Sequence, residues 1–460
     1  MLNRLKNWLS GKRSYQAAGG GRRGASMQAM PAPLISAYTA RGPIASRARF
    51  AVGNNPLAQG AVQAWVTQAI GTGIKASSRH PDKPVKETLN ARFMAWTDEA
   101  DDEARTDWFG IQGALFQSMV VAGEGLALML NTSAGLRIRV LDPEQLDAAY
   151  SATLANGARI VQGVEFNADG QRVAYHIFNH AIGTETSLFR ERKRIPAEDV
   201  IHVYRQDWPG QCRGLSWYAP IMVRLADLDK WRDAQLARQG VAAMLAGFVT
   251  TPNGSGEPFD GEQQGATLIG GLEPGTLKFL DPGQDVRFSE PAKIGAEVVD
   301  FAVTCERDIA TGMGLPAHAF GDVTKANYSS LKQAATAFRA RVEQVQWRIF
   351  IPQVCVPVWR RWATLEVLSG RISTTVDKAM PVKHNTPLWP DLEPVKAVTA
   401  QTMELDAGLT TRTALLAARG EDIEQIDAEL AEEQARAKAL GLVFNRPQPG
   451  NDNEPAAEAD

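Results

Sequence analysis

The chain has 460 residues, a net charge of −3, a hydrophobic fraction of 44% and a charged fraction of 22%, an ordinary globular composition with room for two to four domains of roughly 150 residues each. Its three cysteines, Cys212, Cys305 and Cys355, lie far apart without a CxxC pair, which excludes a disulfide framework and a zinc site and leaves them as small buried apolar residues. No run of 18 apolar residues occurs, since Gln117 and Glu124 interrupt Ala114 to Leu130, and no N-terminal stretch suits a signal peptide, so neither a membrane partner nor export is expected.

Residues 1–45 read as a basic flexible arm, because Gly19-Gly20-Gly21 and Pro31, Pro33 and Pro43 break any regular element. Up to Pro81 there are eleven Lys or Arg and no acid, while Arg419 to Asp460 carries eleven acids against four bases. Solvated tails account for both ends; an acid-free arm also suits a phosphate-bearing surface, and an acidic tail is repelled from one. A helix is expected over Asn55 to Ile70, with Pro56 at its first position and Gly71 and Gly73 ending it. Two more fit Val85 to Trp96 and Trp108 to Val121. Between them lie Asp98, Glu99, Asp101, Asp102 and Glu103. Paired carboxylates there could take a metal, but with no histidine nearby a solvated loop is the simpler reading.

From Gly125 to Tyr204 the pattern turns to short strands: Leu126–Leu130, Leu136–Leu141, Ile160–Phe166, Val173–Phe178 and Val200–Tyr204, separated by turns such as Asn167-Ala168-Asp169-Gly170. His176 and His180 stand four apart in or beside a strand, without a third ligand, and read as surface histidines. Helical spacing returns after Trp217 with Ile221, Leu225, Leu228 and Trp231, running to about Ala246. A Gly/Pro-rich stretch, Thr250 to Pro291, follows, with strands near Thr276–Leu280 and Asp285–Phe288. A helix over Ala296 to Met313 is stopped by Gly314 and Pro316. Then Leu331, Ala335, Phe338, Val342, Val345 and Ile349 form one apolar seam, which Pro352 and Pro357 are expected to kink or end. Leu392 to Leu440 reads as two or three short helices. The fold class is α+β: two long helices joined by a small β module, framed by an α+β body.

Several chemistries are excluded by motif. GxxxxGK[ST] is absent, since Gly11-Lys12 precedes Arg13 and lacks the upstream glycine. So are HExxH, GxSxG and the zinc-deaminase signature. Gly71-Thr72-Gly73 lacks the third glycine of a dinucleotide fingerprint and follows a helix rather than a strand. No catalytic residue, cofactor or resident metal is expected.

Four groups of segments carry a resemblance. Arg47-Ala-Arg-Phe-Ala-Val-Gly-Asn-Asn-Pro56 precedes Ile70-Gly-Thr-Gly-Ile74. Gly163-Val-Glu-Phe166 and Ala174-Tyr-His176 lead to Ile195-Pro-Ala-Glu-Asp-Val-Ile-His202. Arg213-Gly-Leu-Ser-Trp217 opens onto the helix from Arg224 to Ala243. Leu272-Glu-Pro-Gly275, Leu280-Asp-Pro-Gly283 and Asn327-Tyr-Ser-Ser330 close the series. In this order and spacing, over roughly residues 45 to 365, they resemble the lambda-like phage portal family.

The resemblance implies a portal fold assembled as a ring, commonly of twelve subunits, around a double-stranded DNA channel. It maps a wing onto 46–215 and 331–385, stem helices onto 216–247 and 296–314, a clip onto 248–295, a tunnel loop onto 315–330 and a helical crown onto 386–450, with an acidic tail at 451–460. Implied channel residues are Lys325, Asn327, Tyr328, Ser329 and Ser330. Implied docking residues of the clip are Gly261, Thr276, Lys278, Asp285 and Arg287. The implied partners are further copies of the chain, double-stranded DNA of any sequence, the terminase large subunit, a head–tail adaptor, and the major capsid and scaffold proteins. The implied location is the portal vertex of a virion assembled in the host cytoplasm. A channel for any sequence should avoid base readout and tight phosphate binding, and the candidate loop offers one cation, Lys325, among neutral polar groups. Tyr328-Ser329-Ser330 equally reads as a helix N-cap with Ser329 or Ser330 capping. The alternatives are another ring-forming head–tail connector and a metal-dependent DNA-processing enzyme using Asp101 or Asp102.

Overall fold

The structure, a computed structural model, describes residues 30–181, 191–243, 247–250, 262–264, 267–269, 285–288, 296–320, 327–389, 393–419 and 423–442. The chain divides into two compact units: residues up to Ala219 together with those from Lys325 onward, and Pro220–Thr324.

The first unit begins with α1 (Pro33–Asn54), 22 residues long, which corrects the expected irregular arm over 33–45. Pro33 sits in the first turn, where its missing N–H costs nothing, and Ala37, Ala45, Ala48 and Ala51 are buried small residues that let the helix pack closely. That burial carries the helix through Pro43. Asn55 then caps α2 (Pro56–Ala69), accepting the N–H groups of Leu57 and Ala58 at 2.9 and 3.1 Å. β1 (Lys75–Ser78) and α3 (Lys83–Thr97) follow, and α4 (Trp108–Ala122) starts where Asp107 accepts the Gly110 N–H at 2.7 Å. Gly123, at φ +96°, closes α4.

Next come β2 (Glu124–Thr132), β3 (Gly135–Leu141), β4 (Ala152–Thr153), β5 (Arg159–Val161), β6 (Val164–Phe166), β7 (Arg172–Phe178), β8 (Arg192–Pro196) and β9 (Val200–Tyr204). The strand expected over Ile160–Phe166 is instead a hairpin. Gln162 (φ +47°) and Gly163 (φ +82°) make a two-residue left-handed turn between β5 and β6. β8, cationic and mostly exposed at the sheet edge, has no apolar alternation to announce it. β3-β2-β9 form one antiparallel sheet and β4-β5-β6-β7-β8 another. Leu126, Leu146, Val164, Tyr175, Ile177 and Val200 pack as a core drawn from both.

The second unit pairs α5 (Met222–Ala243) with α6 (Ala296–Gly312). Ile221 lies against Gly312, Trp231 meets Phe301 at 5.2 Å between ring centroids, and Arg232 pairs with Glu306, so the helices run antiparallel. A side chain at Gly312 would collide with Ile221. Beyond the helices, β10 (Gly247–Thr250) pairs with β13 (Asp285–Phe288), and β11 (Glu262–Gln264) with β12 (Thr267–Ile269), both antiparallel. The strand expected near Thr276–Leu280 lies outside the described residues.

Returning to the first unit, α7 (Tyr328–Val345) passes through a π-helical segment, Gln346–Cys355, into α8 (Val356–Leu368). Pro352 and Pro357 therefore do not end the helix. Pro352 sits inside the π segment, whose wider turn makes room for its ring, and Pro357 falls in the first turn of α8. Burial rewards continuity here: Phe93 packs on Trp359 and Trp362 at 4.9 and 5.0 Å, and Trp65 on Phe338 at 5.2 Å. α9 (Val376–Ala379) leads to β14 (Val382–Asn385), antiparallel to β1, and α10 (Pro394–Asp406), α11 (Arg412–Ala418) and α12 (Ile423–Ala439) follow.

A Cβ at Gly123 would sit 2.4 Å from the backbone carbon of Leu215. Gly123→Ala should cost about 3 kcal/mol in urea unfolding, through backbone collision and left-handed strain together. Gly113→Ala, on the same helix with nothing within 4 Å of the added carbon, should be neutral or stabilising by up to about 1 kcal/mol. Equal costs would contradict the close approach.

Candidate functional site

The start of α7 is set by Asn327, whose side chain accepts the Ser330 N–H at 2.8 Å. The cap is therefore Asn327, not Ser329 or Ser330, because the helix already starts at Tyr328 and both serines fall inside its first turn. Tyr328, Ser329 and Ser330 are exposed; Lys325 lies outside the described residues. One turn on, the Lys332 ammonium stands 6.0 Å from the Tyr328 ring centroid and bonds Glu393 at 2.9 Å. Lys396 bonds the same carboxylate, and the two ammonium groups hold Glu393 down to about 2. The segment thus offers an amide, a phenol and two hydroxyls in series, with its neighbouring lysine engaged by a carboxylate.

Of the implied docking residues, Asp285 and Arg287 lie on β13, opposite Thr250 and Phe248. Gly261, Thr276 and Lys278 lie outside the described residues.

The acidic stretch is not a simple solvated loop. Asp101 is buried and accepts the N–H groups of Glu103, Arg105 and Thr106 at 3.2, 2.8 and 3.2 Å, so its lone pairs organise the turn rather than await a metal. Asp102 bonds Arg139 at 2.8 Å and Glu99 bonds Arg137 at 3.0 Å. Among the described residues no group of three His, Cys, Asp or Glu is placed to hold a metal. A cavity of about 540 Å³ beside this loop has its two arginines paired, Arg49 on Asp142 at 2.8 Å and Arg105 on Glu103. His176, expected at the surface, is buried, 3.0 Å from Glu165 and edge-on to Tyr150; His180 is exposed. All three cysteines are free and buried.

A charged cluster inside the first unit went unpredicted. Glu124 on β2 is fully buried and bonded by Arg213, by Arg41 of α1 at 3.2 Å, by His202 of β9 at 3.1 Å and by the Gly214 N–H at 2.9 Å. Burial alone would raise the Glu124 carboxyl, but the Arg213 and Arg41 guanidinium groups overcome it and hold it well below the carboxylate range. Burial pushes His202 down to about 4 despite Glu124, so the ring stays neutral and donates through Nε2. The sequence signal was Glu124 itself, an acid interrupting a long apolar run and therefore in need of buried cationic partners.

The phage portal protein, lambda family, has a model that matches residues 20–346, or 327 of the 460 residues. The chain belongs to that family. It is 20% identical over 380 residues, 79% of this chain and 73% of the relative, to the "Probable portal protein" of Halomonas phage phiHAP-1. It is also similar to a chain in the neck of a native gene transfer agent particle solved with C12 symmetry (17% identity, 82% of this chain and 92% of that one, TM-score 0.46). A crystallised HK97-family phage portal protein from Corynebacterium diphtheriae has 12% identity, 72% and 92% coverage and a TM-score of 0.32. The family is a structural one, and the mixed helix-and-sheet architecture described above is α+β.

Burial also pushes His384 down to about 4. Above about pH 6.5 both histidines are neutral folded or unfolded; below it the unfolded chain takes up protons that the folded chain refuses. Stability should therefore fall between about pH 6.5 and 4, by up to about 3 kcal/mol for each histidine. His202→Gln keeps a donor for Glu124 and should make the fall in melting temperature over that window shallower. An unchanged slope would show that His202 is not held neutral.

Proposed function

We propose that the chain is a structural, non-catalytic subunit of a portal ring that forms the channel for packaging and release of double-stranded DNA. The family match over residues 20–346 carries this reading. In it, the helical pair of α5 and α6 serves as stem, the strands between them as clip, residues 46–215 and 331–385 as wing, and α10 to α12 as crown. Twelve subunits close the ring. The clip, through residues such as Asp285 and Arg287, docks the terminase large subunit and later a head–tail adaptor, while the major capsid and scaffold proteins surround the assembly. Asp101 does not favour the enzyme alternative, because backbone N–H groups already fill its carboxylate.

The segment from Lys325 to Ser330 acts as the tunnel loop. Tyr328, Ser329 and Ser330 form the first turn of α7, capped by Asn327, rather than a loop before it, and these exposed groups are neutral hydrogen-bonders that touch phosphate weakly and read no base edge. A duct must let every phosphate go as readily as it meets it, and each exposed cation there is worth on the order of 1 kcal/mol or less.

Negative-stain images should show closed rings with a central hole, and native mass spectrometry a single closed oligomer; monomer alone at micromolar concentration would sink the reading. Lys325→Glu should slow packaging or weaken DNA retention while leaving the ring intact. Loss of the ring itself in that variant would make Lys325 structural.

A further inference from the structure

The long helix changes character at its π segment. Val342, Gln346, Phe350, Val354, Val358 and Trp362 are all buried, one every four residues. In an α-helix four residues overshoot a full turn by about 40°, so Val342 and Val354 would point about 120° apart. The wider i→i+5 turns, closed by the Val356 N–H on the Ile351 carbonyl, absorb that drift and keep one face buried. The two flanks are held unequally. α8 buries Val358, Trp359, Trp362, Ala363 and Glu366 among its 13 residues, whereas α7 buries Phe338 and Val342 alone among its 18. Two glutamines inside the segment repeat the asymmetry. Gln353 is answered on both amide atoms at the end of β9: its Oε1 accepts the Tyr204 N–H at 3.1 Å, and its Nε2 donates to the Tyr204 carbonyl at 3.2 Å. Gln346 is answered on one. Its Nε2 donates to the Ala69 carbonyl at 2.7 Å, while its Oε1 is buried with no hydrogen-bond partner among the described residues. A buried amide oxygen without a donor is a cost that this register carries.

We propose that the π segment is a register joint, at which α7 turns about its own axis while Gln353 keeps α8 fixed to β9. The joint opens on the Gln346 side, where one hydrogen bond to Ala69 is the tie and the orphaned oxygen gains by release. Tightening part of the segment toward α then adds the rotation that the wide turns had absorbed. Phe338 leaves Trp65, which it now meets at 5.2 Å between ring centroids, and the exposed Tyr328, Ser329 and Ser330 face a new direction. Pro352 opposes the change, because in α geometry its ring collides with the carbonyl four residues back. Two packings of one segment, set against each other by an amide and a proline, make a bistable element. The plain alternative is one continuous helix held along its whole length, and the unequal anchorage of α7 and α8 speaks against it. The joint goes beyond the portal reading and does not depend on ring assembly.

Hydrogen exchange of the full-length protein, read by mass spectrometry over α7 and α8, tests the joint whether or not rings form. In the unsubstituted chain α7 should exchange at least on the order of tenfold faster than α8, because it opens with the joint alone. A common rate across both helices would overturn the proposal. Pro352→Ala makes the sign decisive, and since Pro352 is exposed the change empties no buried space. A continuous helix would gain a hydrogen bond from it and exchange more slowly. The joint loses the ring that opposes tightening, so exchange over α7 should instead rise on the order of tenfold while α8 stays as it was. Gln346→Leu, which removes the tie to Ala69, should give the same split between the helices. Slower or unchanged exchange over α7 in Pro352→Ala, or a rise shared equally by α8, would overturn the joint.

Discussion

A carboxylate buried among apolar strands costs several kcal/mol unless nearly every lone pair is answered. Glu124 imposes that demand at the first position of β2, against the left-handed Gly123 that closes α4. The answers come from far along the chain: Arg41 from α1, His202 from β9, Arg213 and the Gly214 N–H from the turn after it. Satisfying one side chain therefore fixes four pieces of chain in mutual register. Gly123 and Gly214 must be glycine for the same reason, since a Cβ on either would enter the backbone of the other's neighbourhood. Breaking such a cluster from one side leaves an unpaired buried charge, worth roughly 3 to 5 kcal/mol.

The long helix shows burial outweighing a local rule. Proline inside a helix removes a hydrogen bond and crowds the preceding turn, at about 3 kcal/mol or more. Here Phe350, Ile351, Val354, Val358, Trp359 and Trp362 are all buried on either side of Pro352, so ending the helix would expose several large side chains at roughly 1.5 to 3 kcal/mol each. Widening the turn into a π segment keeps the seam buried and still houses the ring. Gln346 begins the segment and donates to the Ala69 carbonyl at 2.7 Å, which ties it to the end of α2.

What was legible in the sequence was whatever a single stretch of chain decides. Pro56 after Asn55 announced α2, apolar seams announced α4 and α7, and Asp285–Phe288 was a strand as read. Helix spacing with Gly and Pro punctuation placed the boundaries of α6 within a residue. What failed depended on partners distant in sequence. α1 looked like an arm because its alanines are buried only against other elements. Ile160–Phe166 looked like one strand because a turn built on Gln162 carries no Asn-Gly signature. His176 and Asp101 looked like surface residues because their partners, Glu165 and three backbone N–H groups, are invisible to local pattern. The candidate channel segment was suggested by resemblance, not by periodicity, and its cap fell on Asn327 rather than the serines because the helix starts at Tyr328, three residues earlier than the apolar seam announced.

Charge placement then acquires a physical logic. A contact on moving DNA must be weak, because counterion release makes every neutralised phosphate add affinity that the next step must undo. At the head of α7 the exposed groups are neutral, and the lysine one turn on is held by Glu393, which it shares with Lys396. A carboxylate bridging two ammonium groups lowers the local field without removing the helix-capping geometry. In the proposed channel reading, passing DNA meets neutral hydroxyls at the head of α7, and the lysine beside them is already answered by a carboxylate.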